Sequence, residues 1–252
     1  FAIRWVEKGL VPDTVIRRGI RRLLKERLTE LHAGNALAVA ELTQDFVGQM
    51  RSAHLAPLPE KANEQHYEVP AAFFAEVLGN HRKYSSCYWP EGTQTLEEAE
   101  SAALAATCER AGLIDGQDVL ELGCGWGSLT LWMAAKYPGS RITALSNSNS
   151  QREYIEAQAA ERGLGNVRVL TRDINLFDTD ERFDRVVSVE MFEHLRNWPQ
   201  AFANVARWLK PNGRFFMHVF AHREAPYPFE VRDPSDWMSK YFFSGGMMPS
   251  DD

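Results

Sequence analysis

The sequence predicts an α/β fold in which helices cover both faces of a parallel sheet. Short apolar strands alternate with helical segments over residues 112–222, and a glycine-rich turn follows the first strand. The chain has 252 residues, of which 44% are hydrophobic and 25% charged, so it can bury a sizeable core. This composition excludes a disordered or collagen-like protein. No apolar run reaches the roughly 18 residues that would predict a membrane span.

Five strands are predicted from runs of apolar and β-branched residues. They cover residues 118–122, 141–145, 166–170, 183–189 and 214–220, the last one after a turn at Pro211-Asn212-Gly213. Helices are predicted among them at 128–136, 149–162 and 199–209. Because helices separate most of the strand pairs, the strands are expected to run parallel.

The segments on either side of this core have a different texture. Helices are predicted at 13–31, 35–51 and 96–111, whereas residues 63–90 and 223–252 are rich in aromatics and lack a regular period. We therefore divide the chain into an N-terminal helical and aromatic cap (1–111), a core (112–222) and the start of a lid over the site (223–252).

Charge and cysteine content limit the partners and the compartment. The chain carries 28 basic and 34 acidic residues, a net charge of −6, which argues against general nucleic-acid binding. Residues 1–27 alone hold eight basic and three acidic residues; a solvated helix face is favoured there over an anionic lipid or acidic partner. Three cysteines without metal-type spacing indicate free thiols and a reducing, cytoplasmic compartment.

The glycine turn is Gly123-Cys-Gly125-Trp-Gly127, at the end of the first core strand. In an open α/β sheet, ligands bind outside the carboxyl ends of the strands. A dinucleotide fingerprint would need glycine where Ser128 stands and an acidic residue about 20 positions on, but residues 137–152 contain neither Asp nor Glu. NAD binding is therefore disfavoured. The alternative to a ligand site is a turn that needs glycines only for its backbone conformation.

With Glu121 two positions before the first glycine, the turn resembles motif I of the class I S-adenosylmethionine methyltransferases, whose sheet is Rossmann-like. The resemblance implies that Gly123 and Gly125 hold the methionine part of the cofactor and that Glu121 meets its ammonium. It places Asp173, with Ile174, near the adenine. The acidic residue for the ribose is missing, and Asn147 and Gln151 could bond the hydroxyls instead.

Two carboxylates and a histidine, Glu190, Glu193 and His194, follow the fourth core strand. If this segment is helical, Glu190 shares a face with the other two, at i+3 and i+4. An inverted zinc motif would need histidine at position 190, so no metal is expected. Helix capping is a further alternative for any one of the three residues.

This segment resembles cyclopropane-fatty-acid-synthase-like methyltransferases, a group that includes the coclaurine N-methyltransferase branch of plant alkaloid biosynthesis. The matches span essentially the whole chain, at residues 7–13, 17–24, 66–67, 84–86, 95–100 and 241–249. The resemblance implies catalysis by Glu190, Glu193 and His194, and it adds Tyr84 and Ser85 to the cofactor site.

Two positions distinguish the branches of this family. Cyclopropane synthases have Ser-Cys after the tyrosine and glycine before Met-Phe-Glu-His, whereas this chain has Ser86, with Cys87 one place late, and Glu190. Both departures imply an N-methyltransferase acting on a small, cyclic, aromatic, benzylisoquinoline-like amine. Methyl transfer to unsaturated phospholipid chains is the alternative, and a non-catalytic binding protein is a third hypothesis. The sulfonium of the cofactor and the ammonium of the amine are cations, which aromatic ring faces attract. Candidate rings for such contacts are Tyr67, Tyr84, Phe220, Tyr227, Trp237 and Tyr241.

The last predictions concern partners and the number of strands. A homodimer is one possible assembly, and contact with a membrane surface is not favoured. The class I methyltransferase sheet normally ends in an antiparallel hairpin of two further strands. Only five strands are predicted here, so the C-terminal hairpin strands are expected to be missing.

Overall fold

The computed structural model describes residues 2–32, 34–58, 71–232 and 236–251, and a parallel sheet lies at its centre. The strands are β1 (Asp118–Leu122), β2 (Arg141–Ser146), β3 (Val167–Thr171), β4 (Phe183–Val189) and β5 (Leu209–His218). Their order across the sheet is β3-β2-β1-β4-β5. The chain therefore runs from the centre to one edge and then from the centre to the other. The change of direction occurs at β1, beside the glycine turn, where ligands bind in such sheets.

Helices lie on both faces of this sheet, as predicted. The described helices of the chain are α1 (Ala2–Glu7), α2 (Asp13–Glu30), α3 (Ala36–Ser52), α4 (Ala71–Val77), α5 (Leu96–Arg110), α6 (Ser128–Lys136), α7 (Asn149–Glu161), α8 (Trp198–Trp208) and α9 (Trp237–Tyr241). A 3₁₀ helix, η1, covers Phe192–His194. None of the described helices is both long and apolar enough to cross a bilayer.

Alternation along β1 divides the core between the two faces. Leu120 and Leu122 pack with Trp208 of α8, whereas Val119 packs with Leu104 of α5 and Met133 of α6. All of these side chains are buried. Such burial contributes roughly 1.5–3 kcal/mol for each large apolar side chain and fixes β1 in the middle of the sheet.

Capping residues set where several helices begin. Thr95 and Glu98 form a reciprocal capping box at the start of α5, as their spacing suggests. The side chains of Ser148 and Asn197 accept backbone N–H bonds at the starts of α7 and α8. Ser148 and Asn197 follow β2 and β4, so the caps of α7 and α8 lie beyond the carboxyl ends of these strands.

The last core strand differs from its prediction. β5 begins at Leu209, not at residue 214, and ends at His218, not at 220. Its pairing with β4 shifts between Phe183 and Arg185, so the predicted turn exists as an irregularity within the strand. Asn212 has a φ of 67° there. The sequence shows the turn but not that pairing resumes on both sides of it.

The segments outside the core are more ordered than the sequence suggests. Helix α4 lies in the aromatic stretch where no regular period was found. The pair β6 (Tyr227–Pro228) and β7 (Met247–Met248), together with α9, gives structure to the predicted lid. Met247 is fully buried against Phe46 and Met50 of α3, so the cap and the lid pack together. The three-part division of the chain stays a prediction.

Candidate active site

Three glycines with positive φ form the turn between β1 and α6. A Cβ at Gly123 would lie 2.6 Å from Cγ of Met191, and one at Gly127 would lie 2.5 Å from Cγ1 of Ile155. Gly125, with a φ of 52°, faces open space instead. Two of the glycines therefore allow close packing of the turn, and the third leaves room for a ligand against the backbone.

Two cavities meet at this turn. The first, of about 230 Å³, lies between the turn, the segment 82–85 and the aromatic residues of the lid. The second, of about 80 Å³, lies between the turn and the ends of β2 and β3. Gly123, Gly125 and His194 line both cavities. An elongated ligand can therefore run from one cavity into the other past the glycine backbone.

The predicted cofactor residues all line one or both of these cavities. Tyr84, Ser85 and Glu121 line the first cavity, Gly123 and Gly125 line both, and the second is lined by Asn147, Gln151, Asp173 and Ile174. The structure thus brings together residues that are up to 90 positions apart in the sequence.

Gln151 and Asp173 contribute polar groups to the wall of the second cavity. Oε1 of Gln151 accepts the Ser146 hydroxyl at 2.6 Å, while its buried Nε2 has no hydrogen-bond partner among the described residues. Oδ1 of Asp173 accepts the backbone N–H and the side-chain amide of Asn175 at 2.9 and 3.1 Å. These bonds hold an unsatisfied donor and a carboxylate at the wall of the cavity.

Glu121 is a buried carboxylate at the base of the first cavity. It is 3% exposed, and Oε2 accepts the Thr130 hydroxyl at 2.5 Å. Burial raises the pKa of this carboxyl to about 7, and the bond from Thr130 opposes the rise. Among the described residues this buried acid has no cationic partner, so it is suited to receive a positive group of the ligand.

The first cavity also holds donor groups that the sequence did not reveal. Nη1 of Arg82, Nε1 of Trp126 and Oγ of Ser128 are buried and have no hydrogen-bond partner among the described residues, and all three residues line the cavity. The Arg82 guanidinium lies 4.1 Å from the centre of the Tyr154 ring. Unsatisfied buried donors are costly, so this set fits an anionic group such as a carboxylate.

Glu190 enters the first cavity from the end of β4. Its backbone, with a φ of 50°, is in the left-handed region, and its N–H donates to the carbonyl of His218 at 2.8 Å. Oε1 accepts the Ser86 hydroxyl at 3.2 Å and lies 4.0 Å from Nε2 of His218. The condition under which Glu190, Glu193 and His194 would share one helical face is not met, because η1 begins only at Phe192.

Glu193 is buried away from the described cavity walls, whereas His194 lines both cavities. Glu193 is fully buried, is absent from the described lining of both cavities, and accepts the backbone N–H of Phe220 at 3.0 Å. Burial raises its pKa to about 7, to which the nearby charge of Glu190 adds. The His194 ring stacks on Phe243 with centres 5.5 Å apart and faces both cavities. Of these three residues, Glu190 and His194 line a described cavity and Glu193 does not.

Aromatic rings form the outer wall of the first cavity. Of the candidates, Tyr84 and Phe220 line it, whereas Tyr67 lies outside the described residues. The described lining does not include the remaining candidates, which are Tyr227, Trp237 and Tyr241. Phe242 and Phe243 line it in their place. Phe243 stacks on Phe229 at 5.1 Å, so the lid supplies a continuous aromatic surface.

Comparison with known proteins shows the family to which this chain belongs. The family model "Mycolic acid cyclopropane synthetase" matches residues 58–252. The chain belongs to this family. It is 38% identical over 247 residues to (S)-coclaurine N-methyltransferase of Thalictrum flavum subsp. glaucum, covering 98% of this chain and 68% of that protein. It is 36% identical over 189 residues to cyclopropane-fatty-acyl-phospholipid synthase of Escherichia coli (strain K12), covering 74% and 46%.

Solved structures in the family show the same fold. A crystal structure of coclaurine N-methyltransferase bound to N-methylheliamine and SAH matches with a TM-score of 0.93 at 37% identity, covering 99% of this chain and 72% of that one. A cyclopropane synthase from Mycobacterium tuberculosis matches with a TM-score of 0.67 at 26% identity, over 79% and 72%. This member of the family is thus an S-adenosylmethionine-dependent methyltransferase with a class I sheet.

The residues of the two cavities fit S-adenosylmethionine. Its ammonium matches buried Glu121, and its carboxylate matches the unsatisfied donors of Arg82, Trp126 and Ser128. The second cavity offers the unsatisfied Nε2 of Gln151 to a hydroxyl. The ammonium would thus lie against a buried carboxylate, and the carboxylate against buried donors that have no hydrogen-bond partner among the described residues.

Proposed function

We propose that this chain transfers a methyl group to the nitrogen of a small, cyclic, aromatic amine of the benzylisoquinoline class. The observation that carries the proposal is that Glu190 and His194 line the same cavity as Gly123 and Gly125 of the glycine turn. The similarity of this chain to (S)-coclaurine N-methyltransferase supports an amine acceptor of this class. The aromatic wall formed by Phe220, Phe242 and Phe243 suits a flat ring system.

Charge explains why a carboxylate belongs beside the acceptor nitrogen. An alkyl amine is mostly protonated near neutral pH and has no free electron pair to attack a methyl group. Glu190 attracts the ammonium, and His194 is the base that takes its proton as the nitrogen becomes nucleophilic. S-adenosylmethionine supplies the electrophilic methyl group when it is bound.

Positioning completes the proposed mechanism. The bond from Ser86 holds Oε1 of Glu190, and the stack on Phe243 holds the His194 ring. The amine nitrogen is thereby directed toward the glycine turn rather than toward solvent. We assign Glu193 an indirect part, because its buried carboxylate joins η1 to Phe220 and has no contact with either cavity in the described structure.

Substitution of Glu190 and His194 tests the proposal. Glu190→Gln and His194→Ala should each lower kcat/KM for the amine about 10²–10⁴-fold. Their affinity for S-adenosylhomocysteine, measured by calorimetry, should stay within threefold of the wild type. Glu156→Gln and His54→Ala, both at exposed positions, serve as matched controls. Wild-type turnover in both site variants would remove these residues from the mechanism.

The class of acceptor is tested by offering the enzyme two kinds of substrate in parallel. The purified enzyme is incubated with methyl-labelled cofactor and either a panel of tetrahydroisoquinoline amines or vesicles of unsaturated phospholipid. We expect label in the amines and none in the lipid. The lipid alternative draws support from the Escherichia coli relative, which matches less of this chain than the N-methyltransferases do. Label in the acyl chains alone would reverse the proposal.

Helix α2 supplies the proposed partner surface. None of its residues is buried, and apolar side chains such as Ile20, Leu23 and Leu24 are about half exposed. We propose a second copy of the chain as the partner, because these apolar side chains suit an equivalent apolar surface. An anionic membrane is not favoured, because residues 28–252 carry a formal charge of −11 that it would repel. We infer a cytoplasmic location from the three free cysteines, two of them buried.

A further inference from the structure

Lys83 is a buried cation at the wall of the first cavity, and the mechanism above does not use it. It is 5% exposed, and its ammonium donates to Oγ of Ser85 at 2.6 Å and to the carbonyl of Ser86 at 2.7 Å. Burial lowers the pKa of Lys83, while the neighbouring Glu190 and Glu100 oppose the fall. A lysine held this far from water needs a reason beyond surface charge.

The backbone before Lys83 is held by one buried side chain of α5. Glu100, fully buried, accepts the backbone N–H groups of Gly79, His81 and Lys83 at 3.1, 2.9 and 3.1 Å. A Cβ at Gly79 would overlap the Glu100 carboxylate. The start of the segment is thus fixed to a helix, and Lys83 fixes its continuation at residues 85 and 86.

The fixed segment ends in contact with the proposed catalytic carboxylate. The Ser86 hydroxyl donates to Oε1 of Glu190 at 3.2 Å. The preceding residue, Ser85, accepts the bond from the Lys83 ammonium. Lys83 and Glu190 also line the same cavity. The described charged or titratable groups that act on Lys83 are Glu190, Glu100 and Cys87.

We infer that Lys83 is a positioning residue, which fixes the Glu190 carboxylate toward the amine by holding the Ser85–Ser86 pair. The inference rests on the proposed function, since it presumes that Glu190 receives the acceptor. Without the ammonium, the Ser86 backbone loses the bond to its carbonyl, and the hydroxyl that holds Glu190 is fixed less firmly. Hydrogen bonds to charged groups of this kind are worth roughly tenfold to hundredfold in rate when they act in the transition state.

A double-mutant cycle tests the inference. Lys83→Met and Ser86→Ala are made in the wild type and in Glu190→Gln, with the exposed Lys25→Met as control. In the wild type, each should lower kcat/KM for the best amine at least tenfold, and Ser86→Ala should keep its affinity for S-adenosylhomocysteine within threefold. In Glu190→Gln, each should cost less than threefold, because the carboxylate that they orient is gone. Ser86 is exposed, so its variant keeps the test decisive if Lys83→Met folds poorly.

The outcomes separate this inference from the proposed function. Equal losses in both backgrounds would overturn the positioning role, since Lys83 would then act independently of Glu190. Glu190→Gln with wild-type turnover would instead overturn the proposed function, and the inference with it. Recovery of kcat/KM by Lys83→Arg to within threefold of the wild type would support the role of the positive charge.

Discussion

Replacing Glu121 by glutamine should stabilise the protein at alkaline pH and weaken its hold on the cofactor. Burial raises the pKa of this carboxyl from 4.5 to about 7. The folded state therefore binds the proton more tightly than the unfolded chain does. As a result, the free energy of unfolding falls as the pH rises from about 4.5 to about 7. Above this range, the ionised carboxylate costs the folded state about 3 kcal/mol.

Glutamine removes this charge but keeps an oxygen that can accept the Thr130 hydroxyl. We expect the free energy of unfolding to rise by about 2–3 kcal/mol at pH 8 and to change by less than about 1 kcal/mol at pH 5. Urea unfolding without ligand at the two pH values measures both changes. Glu156→Gln, at an exposed position, should have no such pH dependence.

Cofactor affinity should change in the opposite direction. The ammonium of S-adenosylhomocysteine would lose a charged partner, which weakens binding roughly tenfold to hundredfold in calorimetry at pH 8. The reasoning would be refuted if Glu121→Gln lost stability equally at pH 5 and pH 8, or if it bound S-adenosylhomocysteine as tightly as the wild type.

Two further predictions concern the glycine turn and the carboxylate donors. Gly125→Ala should cost about 1–2 kcal/mol for its positive φ and weaken S-adenosylhomocysteine at least tenfold, whereas Gly123→Ala should lose more stability because its Cβ meets Met191. Thermal unfolding and calorimetry measure both, and equal stability losses would contradict the packing argument. Arg82→Gln should weaken S-adenosylhomocysteine about tenfold but leave adenosine unchanged, since adenosine has no carboxylate; equal losses for both ligands would exclude this contact.

The core strands were predictable because their signals are local. β1 and β4 have the bounds that the sequence predicts, since each is an apolar run that ends at a glycine turn or a change in polarity. β5 was not, because its start depends on how Leu209 pairs with Phe183 on another strand. Helix α4 has only seven residues, too few for a periodic pattern to show.

The same distinction applies to the site. Most of the cofactor residues lie at or shortly after the ends of strands, so their chain positions indicate that they meet at one edge of the sheet. Tyr84 and Ser85 follow no strand and were predicted from the family resemblance alone. The contribution of Arg82 was missed because it depends on a distant contact with Tyr154. The lid residues Phe242 and Phe243 were missed for a similar reason: only the folded chain shows which of several neighbouring rings face the cavity.

The first cavity draws its two walls from separate stretches of chain. The cofactor side comes mainly from residues 82–85 and 121–128, whereas three of the aromatic rings on the acceptor side, at 220, 242 and 243, come from the end of the core and the lid. Changes in the lid can therefore reshape the space for the amine without altering a single group that holds the cofactor. A fold built in this way can diversify its acceptors while its methyl donor stays constant, and lid residues are the natural targets for redesigning acceptor preference.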